Sequence, residues 1–485
     1  MSAERRSAPA RASGRRVAAT GPARPSRLSL VVAVLVPLVT LGAIALTDGS
    51  PAPTRAGVPP TDSALTSLQV VCPAPLDEGD LLLSSARSSG QATLRLGADQ
   101  SSVDLAQDAT TVITGRTRAA TLDGRGDLAP GLVATSTSGE GDAATVCAPP
   151  QSEYWFTGGG SASIHSSVLE LVNSDSGPAV ADVEIRSQRG RLSVNALRGV
   201  TVPGGTATSI DLASTAPNRF DLSVHVTITR GRLGASLLDR ISDTTDVADW
   251  LSATPAPSTS HVLLGLTEGR GERQLVISNP GEDQARLQVK VIGSDSTFAP
   301  VGLGEISVPP QGTLVTDVSD VVRTAMAKEV SGLLITSTVP VTAGMRSLTG
   351  SPKDLSHAVD AIAMQESATL IPVGQKKSTA TLVLAAPEES GAAMVTAYDA
   401  DGAELDSQRV AVKRLTSGAF ELPDKTALVS VVADDVPLPG AITVTGPQGS
   451  FVLPLTDLVL TALVPSVTPG NPSVLSGSVS SQSSP

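Results

Sequence analysis

The chain has 485 residues, a formal net charge of −12, only 2% aromatic residues, 44 Gly and 35 Pro. Its length suits three or four domains. Residues 1–27 carry seven Arg against one Glu, so the rest of the chain holds −18. A body that acidic excludes a nucleic-acid binder, which needs basic surface, and the shortage of rings removes the stacking platforms that bases require.

After the basic arm, Leu28 to Leu46 forms an uncharged apolar run. A bilayer core is spanned by about 20 such residues in a helix, and Pro37 is tolerated better in a membrane helix than in a soluble one. Arginines ahead of the run keep the N-terminus cytoplasmic and send the bulk outward. Residues 28–46 therefore read as a single-pass signal anchor in the cell membrane. The alternative is secretion after cleavage at the small-x-small site Ala43-Ile44-Ala45.

Residues 47–66, rich in Pro and Gly, read as a tether. A first β module is expected over 67–150, with short alternating pieces such as LLLSS and ATLRLG and a cysteine near each end. Cys72 and Cys147 are the chain's two cysteines. In an exported chain they read as a disulfide, since neither has a His nearby for a metal and C-x-x-C spacing is absent.

Beyond residue 150 the sequence repeats itself. Asn173, Pro203 and Asp211 recur as Asn279, Pro309 and Asp317, each 106 residues on; in a weaker third copy Lys413 and Glu421 follow Pro309 and Asp317 at 104. A period near one hundred residues is that of a whole sandwich, not of a solenoid unit. The expected units are 151–258, 259–365 and 366–465, with a disordered tail over 466–485. Alternation in LQVKVIG and LSVHVTIT, with turns every 8–12 residues, gives an all-β ectodomain of tandem immunoglobulin-like β-sandwich modules after one transmembrane helix. Two stretches read as helical: DRISDTTDVADWL near Trp250, and SDVVRTAMAKEV, with Val321, Ala325 and Lys328 at helical spacing.

Chemistry is sparse. No H-E-x-x-H, Walker A or G-x-S-x-G motif occurs, and no catalytic, cofactor or metal residue is nominated. His225 sits within strand alternation; His165, after the Gly158-Gly159-Gly160 run, has the better claim to a role. The glycines lack a Lys and a strand-to-helix context, so they read as a flexible turn and not a phosphate cradle. Asp399-x-Asp401-Gly402 reads as a hairpin turn ahead of a calcium loop. Glu388-Glu389 and Asp434-Asp435 read as solvated turn acids. Tyr154-Trp155-Phe156 is the one aromatic concentration. It reads as a packing anchor between the first two modules, or else a partner-binding hot spot.

The arm, span and linker, followed by V-C-P-A-P at Val71 to Pro75 and C-A-P-P-x-x-x-x-W-F-x-G-G-G from Cys147, resemble a family of uncharacterised envelope proteins of high-GC Gram-positive bacteria. That family is catalogued as a domain of unknown function, number 5719. The resemblance implies a single-pass, secreted, β-rich architecture and offers no activity to carry over. The expected role is a non-enzymatic scaffold or adaptor, partnered by the membrane and by an envelope protein or wall polymer. A passive wall-spanning spacer or adhesin, or an enzyme acting on envelope glycans, are the alternatives.

Overall fold

The computed structural model describes residues 31, 34–42, 61–139, 143–243, 246–326, 330–351, 353–372, 378–447 and 449–464. Asp62–Leu463 forms one compact unit; Met1–Thr61 with Val464–Pro485 forms another. In the second of these, Val31 and residues 34–42 are helical and exposed. Among the described residues no helix is long and apolar enough to cross a membrane. The rest of the expected span, most of the tether and the 466–485 tail lie outside the described residues. The tether's end is a correction: Thr61–Ala64 is a strand paired with Thr461–Val464, and Leu65 N–H donates to Leu460 O at 3.4 Å.

Within the large unit the strands pair in four successive stretches, 67–146, 153–251, 258–360 and 363–454, here modules I to IV. All the named strand pairs are antiparallel in modules I, II and IV, whose strands form two facing sheets each. In module III one long strand, Val330–Gly350, runs through both sheets and joins them. Period-two alternation decides which side chains enter. In Ala285–Gly293, Ala285, Leu287, Val289 and Val291 face the core while Arg286, Gln288 and Lys290 face out. With so few rings, Leu, Val, Ile and Ala fill all four cores. Cys72 and Cys147 are bonded, tying the first strand of module I to the residue after its last, Ala143–Val146.

The repeated residues do repeated work. Asn173, fully buried, donates from Nδ2 to Gly177 O and Val202 O and accepts Asp175 N–H at Oδ1. Asn279 makes the same bonds to Asp283 O, Val308 O and Gly281 N–H. Each amide ties a turn to a neighbouring strand and leaves none of its own groups orphaned. Asp211 and Asp317 likewise accept the N–H two residues on; Asp211 thereby caps the helix Leu212–Thr215, and Asp317 takes the first N–H of the helix Ser319–Met326. Module IV has no such Asn: its strand Thr379–Ala386 ends on Ala386, whose carbonyl takes Leu415 N–H.

Of the two expected helices, SDVVRTAM forms, burying Val322 and Ala325 beside Val318; Val321 is only half-buried and Lys328 lies outside the described residues. DRISDTTDVADWL is not helical. It is a hairpin of Gly234–Ser242 and Asp246–Leu251. Asp246 closes it by accepting from Arg240 and Ser242, local bonds that Asp and Ser offer in competition with a helix.

The four modules close on one another. The last strands of modules I to IV are Ala143–Val146, Asp246–Leu251, Lys353–Asp360 and Ser450–Pro454. Each packs against the next, and the fourth packs against the first. The seam between III and IV is apolar, Val262, Leu264 and Val359 meeting Val383, Ala441 and Val452. Between IV and I, Leu370 and Leu428 cover Leu82, and Thr135 Oγ1 donates to Leu370 O at 3.1 Å. Between I and II, Ala74 N–H donates to Glu170 Oε2 at 2.8 Å. The seam between II and III is polar.

Candidate functional site

That polar seam begins with strand His165–Val172, on which residues 165, 167, 169 and 171 share one face. Leu169 and Leu171 pack in the core of module II. At the sandwich's end the same face turns polar with His165 and Ser167, and register sets Asp239 opposite Ser167. Asp239 accepts from Ser167 Oγ at 2.6 Å, and His165 Nε2 lies 3.0 and 3.1 Å from its two oxygens. Module III adds one guanidinium and a second imidazole. His357 Nε2 stands 3.4 Å from Asp239 Oδ2. Arg346 Nη1 donates to Asp221 Oδ1 at 2.9 Å and Gly158 O at 3.3 Å, and lies 3.2 Å from each ring nitrogen of His165.

The glycine run makes this convergence possible, and its reading as a flexible turn is corrected. Gly158 and Gly159 end the strand Glu153–Gly159, and all three glycines are buried. A Cβ on Gly159 would stand 2.8 Å from Ser167 Oγ; one on Gly160 would stand 2.5 Å from His165 Cγ. Glycine is there because polar side chains approach the backbone this closely.

Electrostatics follow from burial and company. Burial alone would raise the Asp239 carboxyl, but the His165 charge and hydrogen bond, with His357 and Arg346, hold it down at about 2. Burial pushes His357 down to about 4, with Arg346 and His165 adding and Asp239 opposing. Burial, with Asp354 adding, raises Asp249 well above the carboxylate range.

Ser, His and Asp stand together here, yet not as a nucleophilic set. Ser167 donates to the carboxylate and not to an imidazole, and it accepts Gly160 N–H at 2.8 Å. His165, Ser167, Asp239 and His357 are each no more than 3% exposed. The arrangement is chemically an ion-paired plug joining modules II and III.

A family model matches residues 106–423. The chain belongs to the Family of unknown function (DUF5719). The matched span of this DUF5719 chain starts within module I and ends within module IV, so it holds Cys147 and the whole polar seam while Cys72 precedes it. No curated protein matches the chain. Among solved structures, the chain is similar to a Streptomyces avermitilis α-L-rhamnosidase complexed with L-rhamnose at 9% identity. That similarity covers 78% of this chain and 57% of that one, with a TM-score of 0.15, too low to bear on fold or function.

The DUF5719 aromatic triplet is buried in two directions. Tyr154 and Phe156 face the core of module II, their rings 6.4 Å apart and near-parallel; Tyr154 Oη donates to Leu233 O and accepts Gln151 N–H. Trp155 points the other way, 6% exposed. It stacks on His225 at 3.7 Å between centroids, with the Arg186 guanidinium 5.4 Å from its ring centre. Burial lowers His225, against the pull of Glu153.

Two further features lie elsewhere. A cleft of 480 Å³ between modules III and IV is lined by Ser260, Asp360, Ile362, Pro437 and the exposed acids Glu388 and Glu389; of these, Asp360 pairs through Oδ2 with His261 Nδ1 at 2.7 Å. Asp399 Oδ1 accepts Asp401 and Ala403 N–H, closing the hairpin of Gly391–Tyr398 with Glu404–Val412 as its Asp-Gly sequence suggests. Among the described residues no three His, Cys, Asp or Glu side chains are placed to hold a metal ion. Of the plug, only His165 was singled out by sequence. Ser167 carried a weak signal through its i+2 spacing, and Asp221, Asp239, Arg346 and His357 carried none.

Proposed function

We propose that this chain is a non-enzymatic scaffold or adaptor of the cell envelope. The run 28–46 holds it to the membrane, and its immunoglobulin-like modules stand outside. The observation that carries the reading is the closure of the four modules on one another, with the strands at the two ends of the large unit paired. A wall-spanning spacer gains length by separating its ends, and this unit brings them together. Its Ser–His–Asp grouping is sealed from substrate, which favours a binding role over hydrolysis. The partner is an envelope protein or wall polymer.

The test uses full-length protein in its own envelope. A reporter fused after Pro485 is expected to be extracytoplasmic, and detergent-extracted protein to hold one partner at fixed stoichiometry. A cytosolic reporter, or empty eluates from several detergents, overturns the proposal.

A further inference from the structure

We propose that the seam between modules II and III binds one small inorganic anion, chloride or an oxyanion of sulfate size, held by Arg186, Trp155 and Ser223. These residues share the outward face of one sheet of module II. Register sets Trp155 opposite His225, and His225 opposite Glu184; the next row of that face is Thr157, Ser223 and Arg186. The face is covered by module III. Strand Glu153–Gly159 packs on Gly271–Ser278, and strand Ala179–Ser187 packs on Thr313–Asp317; Thr157 Oγ1 meets Thr342 Oγ1 at 2.7 Å.

In this covered patch several polar atoms have no partner: Trp155 Nε1, Arg186 Nε and Nη1, and Ser223 Oγ. From the facing module the hydroxyls of Ser278 and Thr313, cross-strand neighbours, are also unpartnered. Buried donors are expensive to leave unmade. Indole and guanidinium N–H groups only donate, so the missing group is an acceptor with several lone pairs.

Charge selects an anion over water. Arg186 has one carboxylate partner, Glu184, and Glu184 is shared with Arg191. The remaining nearby acid, Glu153, is half-exposed, hydrogen-bonds His225 at 3.3 Å and is not among the charges acting on Arg186, which are Glu184 and Arg191. Two guanidinium groups therefore share one carboxylate, and the Arg186 side chain is only 5% exposed. An anion seated against Arg186 Nε and Nη1 supplies both the missing acceptor and the missing charge. It would also make module II's grip on module III ion-dependent.

The test is thermal melting of the full-length protein at constant ionic strength, with sodium chloride or bromide replacing sodium gluconate, the salt of a far bulkier anion. A saturable rise in midpoint is expected with the small anions. Arg186→Gln should weaken the half-saturating concentration by about tenfold or more, as loss of a charged hydrogen bond implies. Should that variant fail to fold, Ser223→Ala removes a single hydroxyl and is expected to shift half-saturation in the same direction. In bromide-soaked crystals an anomalous peak is expected within hydrogen-bond distance of Arg186 Nη1 and Trp155 Nε1. Equal midpoints in all salts, or water alone in the seam, overturns the proposal.

Discussion

His357 and Asp249, both buried, push the fold's response to pH in opposite directions. His357 is buried beside Asp239, Arg346 and His165, and its value drops from 6.5 to about 4. The unfolded chain takes up a proton below pH 6.5 that the folded chain refuses until about 4. The His357 contribution is therefore complete above pH 6.5 and is lost as pH falls through that window, by about 3 kcal/mol. Asp239, held at about 2, extends the loss to lower pH. Asp249 is raised by burial and by Asp354 and Asp239. Its contribution is present below the unfolded value and is lost as pH rises through the folded one. Asp249→Asn keeps the acceptor for Trp250 N–H and removes the charge. Urea unfolding at pH 8 should show the variant more stable than the parent, and the gap should close toward pH 4. A constant gap across that range would remove Asp249 as the titrating group.

At the scale of elements, the glycine-ended strand Glu153–Gly159 is the most demanding piece. Gly160→Ala would drive a methyl against the His165 ring and carbonyl and is expected to cost about 1–3 kcal/mol, the usual range for overpacking. Gly177→Ala has open space around it and should be neutral or slightly stabilising. Thermal midpoints of the pair decide the point; equal effects would mean that the close approach has no energetic weight. Sequence showed this strand only in part. Alternation revealed its neighbours because one face of each is apolar and the other is not, and the cysteines were legible because an even pair in an exported chain has few other uses. The need for glycine was hidden, because His165 and Ser167 reach those positions from the opposite sheet. Arg346 and His357 come from about 180 residues further on, beyond any local pattern. The Asp-rich hairpin read as a helix because spacing alone does not record side-chain bonds back to the backbone.

At the scale of the whole unit, the tandem order of modules was readable from the 106-residue offset, whereas their closure was not. A repeat fixes what each module is. Closure depends on edges that meet after some three hundred residues, such as Leu82 with Leu370 and Leu428. It has a direct measure. Labels at Ser63 and Ala462, bonded neighbours at 3.3 Å between Ser63 Oγ and the Ala462 carbonyl, should report a short and narrow distance in the full-length protein. Leu370→Asp buries a charge in the seam between modules IV and I, where no cation stands among the residues of that apolar cluster. Such a charge costs several kcal/mol unless the seam opens, so the distance distribution should broaden while the cores of modules II and III, remote from Leu370, keep their circular dichroism. A long end-to-end distance in the unaltered protein would mean an extended string, and the spacer reading would regain its ground. A short distance that survives Leu370→Asp would place the closing energy elsewhere, in the apolar seam of III with IV and the ion-paired plug of II with III.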